Sequence, residues 1–595
     1  MTETQPEQDQ PEPVEPVEPV EAIEPAPKEH KVRRALLRAP NRAGIVTALI
    51  FWWFSLVPSM MPRTWAVQAA VSALCLTIGY ALGTFGRWLV RKVRDGKEPI
   101  ALPFPAGVPA GLHPAVAVGI PLALLVVLGA FMWVRWQDQQ RELVSLEPLS
   151  PASAIPMLLV TVVLAAVLTL IGRFVGGGVR RLDRWNRRHL PAPVALPTTI
   201  LLVFFLSLFV ARDVVFARFT SWADATFSVV DGGTNEGTER PDAPTVSGSP
   251  ESLVAWDDLG VQGRDFVAQA TSEEDLRAFA AASGAPAADV TAPVRAYAGL
   301  KSADDAEARA RLATEDLIRA GGMDREVLVV ATSTGTGWID PDAARALELM
   351  HGGDTAIVSM QYSYLPSWIS FITDLDRASE AGAELYAAVY DEWAQLPPDA
   401  RPRLIVFGLS LGSYGAGGAF AGVEADTSVW NIVSRSDGAL FVGTPYASPI
   451  LRQLVEERDD GSTAWAPIID EGETVRFETR DPDQPRPDGP WTEPKVLFVQ
   501  HPSDPVVHWD YSWWWRTPEW MAQPRGYDVP QESGWYPIIT GTQGVFDLMA
   551  GFSAPPGYGH DYRLDYPMAW AEVVPPDGWS ESETAALEQF VAAER

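Results

Sequence analysis

Three residues in the C-terminal half of the chain could together activate a hydroxyl for attack on a carbonyl carbon. Ser410 sits in "FGLSLGSYG", a G-x-S-x-G pattern running from Gly408 to Gly412. Asp504 sits in "HPSDPVVHWD" and His560 in "SAPPGYGHDY". A serine hydroxyl is a poor nucleophile until a histidine takes its proton, and a carboxylate orients and stabilises that imidazole. The pattern around Ser410 is short enough to arise by chance, so its surroundings must carry it. "RLIVFG" reads as a buried strand, continuously apolar and bounded by turn residues. "SLGSYGAGGAF" follows, rich in residues small enough for a helix to pack closely on a sheet. Strand, sharp turn, helix is what lifts a nucleophile off the end of a sheet.

The base is chosen by elimination among His351, His501, His508 and His560. The order nucleophile, acid, base is the one a Ser-Asp-His triad follows on an α/β sheet. His351 precedes the serine and His501 precedes the acid. His508 lies four residues beyond Asp504 and has little freedom to reach the serine, so His560 is the expected base and His508 its rival. Asp504 has a local alternative, because an aspartate before proline commonly serves only a turn. An oxyanion site needs two backbone N–H groups, one directly after the nucleophile and one from an earlier strand-end loop. Leu411 supplies the first, and Ser333 or Thr334 in "ATSTGTGWID" the second; a tight turn is the other use of that loop. The aromatic run "HWDYSWWWRTPEWMAQPRGY" places Trp513, Trp514 and Trp515 just past the acid. Core packing is the ordinary use of aromatics, but a run this dense, broken by arginine and proline, reads as a rim for an amphipathic ligand. The chemistry calls for neither cofactor nor metal.

The elements that must position these residues read as an alternation of strands and helices. "VRAYAGL", "EVLVVATS", "DTAIVSMQYS", "RLIVFG", "GALFVGTP" and "KVLFVQH" are six strands. Helical stretches such as "SADDAEARARLATEDLIRAGG" and "RASEAGAELYAAVYDEWAQL" lie between them, and "SETAALEQFVAAE" is the last. That alternation predicts a mostly parallel sheet covered on both faces, with sites at the carboxyl ends of the strands.

Ahead of this domain lie five apolar runs without a charge, beginning at Gly44, Ala66, Pro114, Pro151 and Pro197. Each is near the roughly 20 residues a helix needs to cross a bilayer, the first and last being short. "KVRRALLRAPNR", "RWLVRKVRDGK" and "GRFVGGGVRRLDRWNRRHL" are basic, whereas the alternate links are much less so. The positive-inside rule then puts the N-terminus in the cytoplasm and everything after the fifth span outside. The spans hold no ionisable residue of the kind a proton or ion path uses. The expected organisation is an acidic tail at 1–40, a multi-pass membrane domain at 41–218, a linker at 219–252 and an α/β domain at 253–595.

Composition narrows the function classes further. The 595 residues are 47% hydrophobic yet carry a net charge of −30. Phosphate binding needs clustered lysine and arginine, so a nucleic-acid partner is not expected. The one cysteine, Cys75, excludes a disulfide framework and a Cys-based metal site. The first thirty residues repeat Pro-Glu-Pro-Val and hold almost no large apolar side chains, which predicts a disordered tail and not a signal peptide.

"SLVPSMMPR", "TSTGTGWIDP", "QYSYLPSW", "GLSLGSYG", "HPSDPVVHW" and "GYGHDY" together resemble the actinobacterial multi-pass membrane α/β-hydrolases, over nearly the whole chain after the tail. The resemblance implies an N-terminal membrane domain and a C-terminal α/β-hydrolase domain, with Ser410, Asp504 and His560 at the nucleophile, acid and base positions. It also implies a glutamate in the elbow before the serine, where this chain has Leu409. The expected activity is that of a membrane-anchored serine esterase or lipase-like enzyme. It would cleave or transfer an acyl group of a cell-envelope lipid, with membrane lipids and the ester as its partners. An inactive hydrolase-fold binding or scaffold protein is the alternative, since one fold hosts many functions.

Overall fold

A computed structural model describes residues 2, 41–94, 114–209, 217–283, 290–373 and 375–593. The expected acidic tail lies outside the described residues, apart from residue 2.

The N-terminal part is a bundle of apolar helices, Arg42–Ser55, Trp65–Val93, Pro114–Leu143, Ala154–His189 and Ala192–Phe209. Among the described residues, three helices, Trp65–Val93, Val118–Leu143 and Pro151–His189, are long and apolar enough to cross a membrane; Arg42–Ser55 and Val194–Phe209 are apolar but shorter. The first run therefore does not form one straight helix of spanning length. Its 14 helical residues reach roughly 21 Å at about 1.5 Å per residue. Pro58 and Pro62 lack the N–H that helix continuation requires, and Leu56–Arg63 leaves the helix as an irregular, largely buried segment. Helices Arg42–Ser55 and Trp65–Val93 approach closely through glycine. A Cβ at Gly83 would stand 2.5 Å from Thr47 Oγ1, and one at Gly79 2.8 Å from the Thr47 carbonyl. On the outside, Leu159, Val163 and Phe174 remain exposed, an apolar face that water does not favour.

The C-terminal part is a seven-stranded, wholly parallel sheet in the order β1-β3-β2-β4-β5-β7-β6. Its strands are β1 Val294–Ala298, β2 Val327–Thr332, β3 Thr355–Met360, β4 Arg403–Leu409, β5 Gly438–Val442, β6 Val475–Glu478 and β7 Lys495–Val499. Helices Ala306–Arg319 and Leu375–Gln395 cover one face through Ala310, Leu317, Leu385 and Val389. Pro341–Met350, Tyr566–Val573 and Glu581–Ala593 cover the other. Burial on both faces is why the strands read as unbroken apolar runs.

Register sets the site. Thr332 pairs with Gly408, Leu409 with Val442, and Val442 with Val499, so β2, β4, β5 and β7 end level with one another. The residues just past those ends form one rim.

Two departures from the sequence reading have simple causes. β6 lies at the sheet edge within the charged stretch "GETVRFETRDP", so only Val475 and Phe477 carry its apolar signal. The expected linker is partly ordered: helix Ala217–Asp231 runs into it, and Val246 bridges to Arg295 on β1. Packing of the α/β domain thus begins before residue 253.

Candidate active site

The turn after β4 holds Ser410 at φ 57° and ψ −125°, a conformation that non-glycine residues rarely adopt. Close packing enforces it. A Cβ at Gly408 would stand 2.5 Å from the Gly412 carbonyl, and one at Gly412 2.2 Å from the Thr332 carbonyl. Glycine at both positions lets the elbow helix Leu411–Gly417 start directly on the ends of β2 and β4. The Ser410 N–H donates to the Val442 carbonyl at 2.8 Å, tying the elbow to the end of β5. Leu411 opens the helix, where first-turn N–H groups have no preceding carbonyl to bond.

Asp504 stands beyond β7 and is fully buried. Its Oδ1 caps the short helix Pro505–His508 by accepting from the Val506 N–H at 2.8 Å. Its Oδ2 lies 2.7 Å from His560 Nδ1 and also accepts from the Tyr562 hydroxyl at 2.6 Å. The turn role and the acid role are therefore compatible, because each uses a different oxygen. Burial, followed by the charge of Asp504, pushes the Tyr562 hydroxyl well above the ordinary tyrosine range, so it stays a donor.

His560 is fixed on several sides. Its N–H donates to the Gly551 carbonyl at 3.1 Å, and its ring meets Phe552 edge-on at 4.9 Å. Gly443 follows Val442 at φ 53°, and a Cβ there would stand 2.9 Å from His560 Cε1. The imidazole thus lies against the end of β5, the strand whose carbonyl holds the Ser410 N–H. Its Nε2 is buried and has no hydrogen-bond partner among the described residues, leaving a lone pair for a hydroxyl brought against it. Such contacts are often long without substrate and tighten on binding.

The other histidines have different surroundings. His501 lies between the Gly559 carbonyl, 2.9 Å from Nδ1, and Asp565, 3.2 Å from Nε2, and stacks on Tyr562. Burial alone would lower its pKa, but Asp565 raises it above the ordinary histidine value. His508 is pushed down to about 4 by burial and makes no hydrogen bond through Nε2 among the described residues. It lines a polar cavity of about 410 Å³ together with Tyr446, Arg452, Asp510, Trp513 and Glu519. His351 lies 2.9 Å through Nε2 from the Val574 carbonyl.

The strand-end loop after β2 brings Ser333 beside the elbow, its carbonyl 3.1 Å from a Cβ built at Gly412. The Ser333 hydroxyl donates to the Met360 carbonyl at 2.7 Å. Thr334 spends its N–H on the Trp338 carbonyl at 3.0 Å, so of the two only Ser333 is left to offer a backbone donor. The tryptophan run divides. Trp513 is buried against Gly544, and Trp514 packs over Gly541, both on helix Ile539–Gly551. Trp515 is 62% exposed. Leu409, where the resemblance implies a glutamate, is the buried last residue of β4. Sequence reasoning missed Tyr562, although it stands two residues past His560 in the quoted "GYGHDY". Its role depends on where β7 places Asp504. Among the described residues, no group of three or more His, Cys, Asp or Glu could hold a metal ion.

Residues 294–587 match the model of an alpha/beta-hydrolase family, and residues 56–270 match the model of an alpha/beta-hydrolase family N-terminus. Among curated proteins and solved structures, none matches the chain.

Proposed function

The chain belongs to an alpha/beta-hydrolase family that carries its own N-terminal domain, and from that premise we propose a membrane-anchored serine hydrolase acting on acyl esters through an acyl-enzyme at Ser410. The observation that carries the reading is the strained Ser410 tied to the end of β5, where the His560–Asp504 pair also lies. In the first half-reaction Ser410 Oγ attacks the ester carbonyl carbon while His560 Nε2 takes the hydroxyl proton. The Leu411 and Ser333 N–H groups receive the oxyanion. The tetrahedral species collapses, His560 returns the proton to the leaving alcohol, and the acyl group stays on Ser410. Water then attacks that ester with His560 again as base, releasing the carboxylic acid and restoring the serine. Asp504 holds the Nδ1–H throughout, and Tyr562 and the Val506 N–H hold Asp504. An alcohol in place of water turns the same cycle into acyl transfer.

The preferred substrate is an acyl ester of a cell-envelope lipid. The exposed apolar faces of the helical bundle suit a bilayer, and the α/β domain sits on the bundle through Leu56–Arg63 and Ser145. Those contacts fall in the links poor in basic residues, whereas Arg91, Lys92, Arg187 and Arg188 gather in the last turns of Trp65–Val93 and Ala154–His189. The positive-inside rule then supports a cytoplasmic N-terminus, five crossings with the two shorter helices included, and an extracytoplasmic α/β domain. A reporter fused after Phe209 should read as extracytoplasmic; a cytoplasmic signal would remove the envelope lipid as substrate.

The purified chain should release carboxylic acid from an ester lipid presented in vesicles, and product analysis with an added alcohol separates hydrolysis from transfer. Ester lipid left intact, with the lipid co-purifying, would favour a binding or scaffold protein instead.

A further inference from the structure

The segment Leu56–Arg63 is the place where the helical bundle grips the α/β domain, and it does so with a charge. Arg63 and Asp547 form an ion pair at 3.2 Å, with side chains 1% and 0% exposed. The Asp547 carboxylate also accepts from Ser59 Oγ at 2.8 Å and from the Met60 N–H at 3.3 Å. Gln543, one turn earlier, donates to the Val57 carbonyl at 2.9 Å. From the bundle side, Gln140 donates to the Ser59 carbonyl at 2.7 Å, and Arg63 reaches Gln68 at 3.1 Å. Met60 and Met61 pack with Trp509, Trp513 and Trp520.

A buried pair of this kind is a poor way to add stability, since taking both charges out of water costs about what their attraction returns. It does fix one geometry, because any shift leaves a buried charge unmatched. The geometry it fixes lies close to the base. Asp547 and Gln543 belong to helix Ile539–Gly551, whose final carbonyl accepts the His560 N–H. Met61 reaches the same loop from the other side, its Cε 3.0 Å from a Cβ built at Gly559, the residue before His560. Ser145, at the end of helix Pro114–Leu143, lies 3.0 Å from the Tyr558 hydroxyl.

We propose that Leu56–Arg63 is a strap through which the helical bundle holds the His560 loop, with Arg63, Asp547 and Met61 as positioning residues for the base. The bundle is then part of the catalytic apparatus as well as an anchor. The inference rests on His560 being the base, and its test reads the loop with and without turnover. In the full-length protein, Arg63→Met with Asp547→Leu removes both charges together and avoids stranding either. A displaced base of about 1 Å costs on the order of a hundredfold in rate. The double variant should therefore lose roughly ten- to a hundredfold in kcat while KM changes less than threefold. Backbone hydrogen exchange over residues 552–561 should rise at least tenfold, with exchange in β4 and β5 unchanged. Met61→Ala, a milder change for use where the double variant does not fold, should give a smaller loss of the same pattern. Wild-type kcat in a folded variant, or unaltered exchange over 552–561, overturns the strap. If the wild-type protein turns over no ester, exchange alone decides: a rise supports the strap although the hydrolase reading has failed.

Discussion

Alanine at His560 is expected to abolish turnover as completely as alanine at Ser410, and the two together to be little worse than either. Nucleophile and base act as one unit, and removing either member of such a pair costs on the order of a million-fold in kcat. The geometry makes the expectation specific to His560. Its Nδ1 lies 2.7 Å from Asp504 Oδ2 and its Nε2 has no hydrogen-bond partner among the described residues. His508 lines the polar cavity, has no bond to that oxygen and is held neutral by burial down to about 4. His508→Ala should therefore keep turnover within about tenfold of wild type. Near-normal turnover in His560→Ala together with an inert His508→Ala would reverse the assignment and make His508 the base.

Asp504→Asn should lower kcat on the order of ten-thousandfold and leave a measurable residue. The amide keeps the shape but no longer demands the Nδ1–H tautomer, so the histidine presents the wrong nitrogen to the serine. Nucleophile and oxyanion donors remain, which is why some catalysis survives. Tyr562 separates this effect from lost packing. Tyr562→Phe removes the 2.6 Å hydroxyl bond to Asp504 and the 3.3 Å bond from the His501 N–H, and keeps the ring stacked on His501. It should cost far less than Asp504→Asn, on the order of tenfold. Equal losses in the two variants would mean that the carboxylate works through the tyrosine and not through the imidazole.

The sheet was legible because each central strand is buried on both faces and bounded by turns, so "RLIVFG" and "KVLFVQH" announce themselves without context. The elbow was legible for a related reason: Gly408 and Gly412 stand where the backbone has no room for a Cβ. What escaped had no local signature. β6 is a short edge strand whose charged residues mask Val475 and Phe477. Helix Tyr566–Val573 also goes unannounced, because "DYPMAWAEVVPP" is short and interrupted by proline. "SLVPSMMPR" reads as the end of a membrane span, yet its two prolines release it from the helix to serve as the strap. Its partner Asp547 lies 484 residues away, a distance that no periodicity bridges. The tryptophan run divides in the fold. Trp513 and Trp514 pack on helix Ile539–Gly551, whereas Tyr511 and Trp515 of the same run are exposed.

The central claim is that Ser410 is an activated nucleophile, and labelling by a fluorophosphonate tests it most directly. The probe needs the serine, its base and the oxyanion donors, but no knowledge of the natural ester. The full-length protein should be labelled at one site, with the adduct on the peptide containing Ser410, and Ser410→Ala should abolish it. Labelling that persists in Ser410→Ala, or a folded wild-type protein that remains unlabelled, would contradict the account.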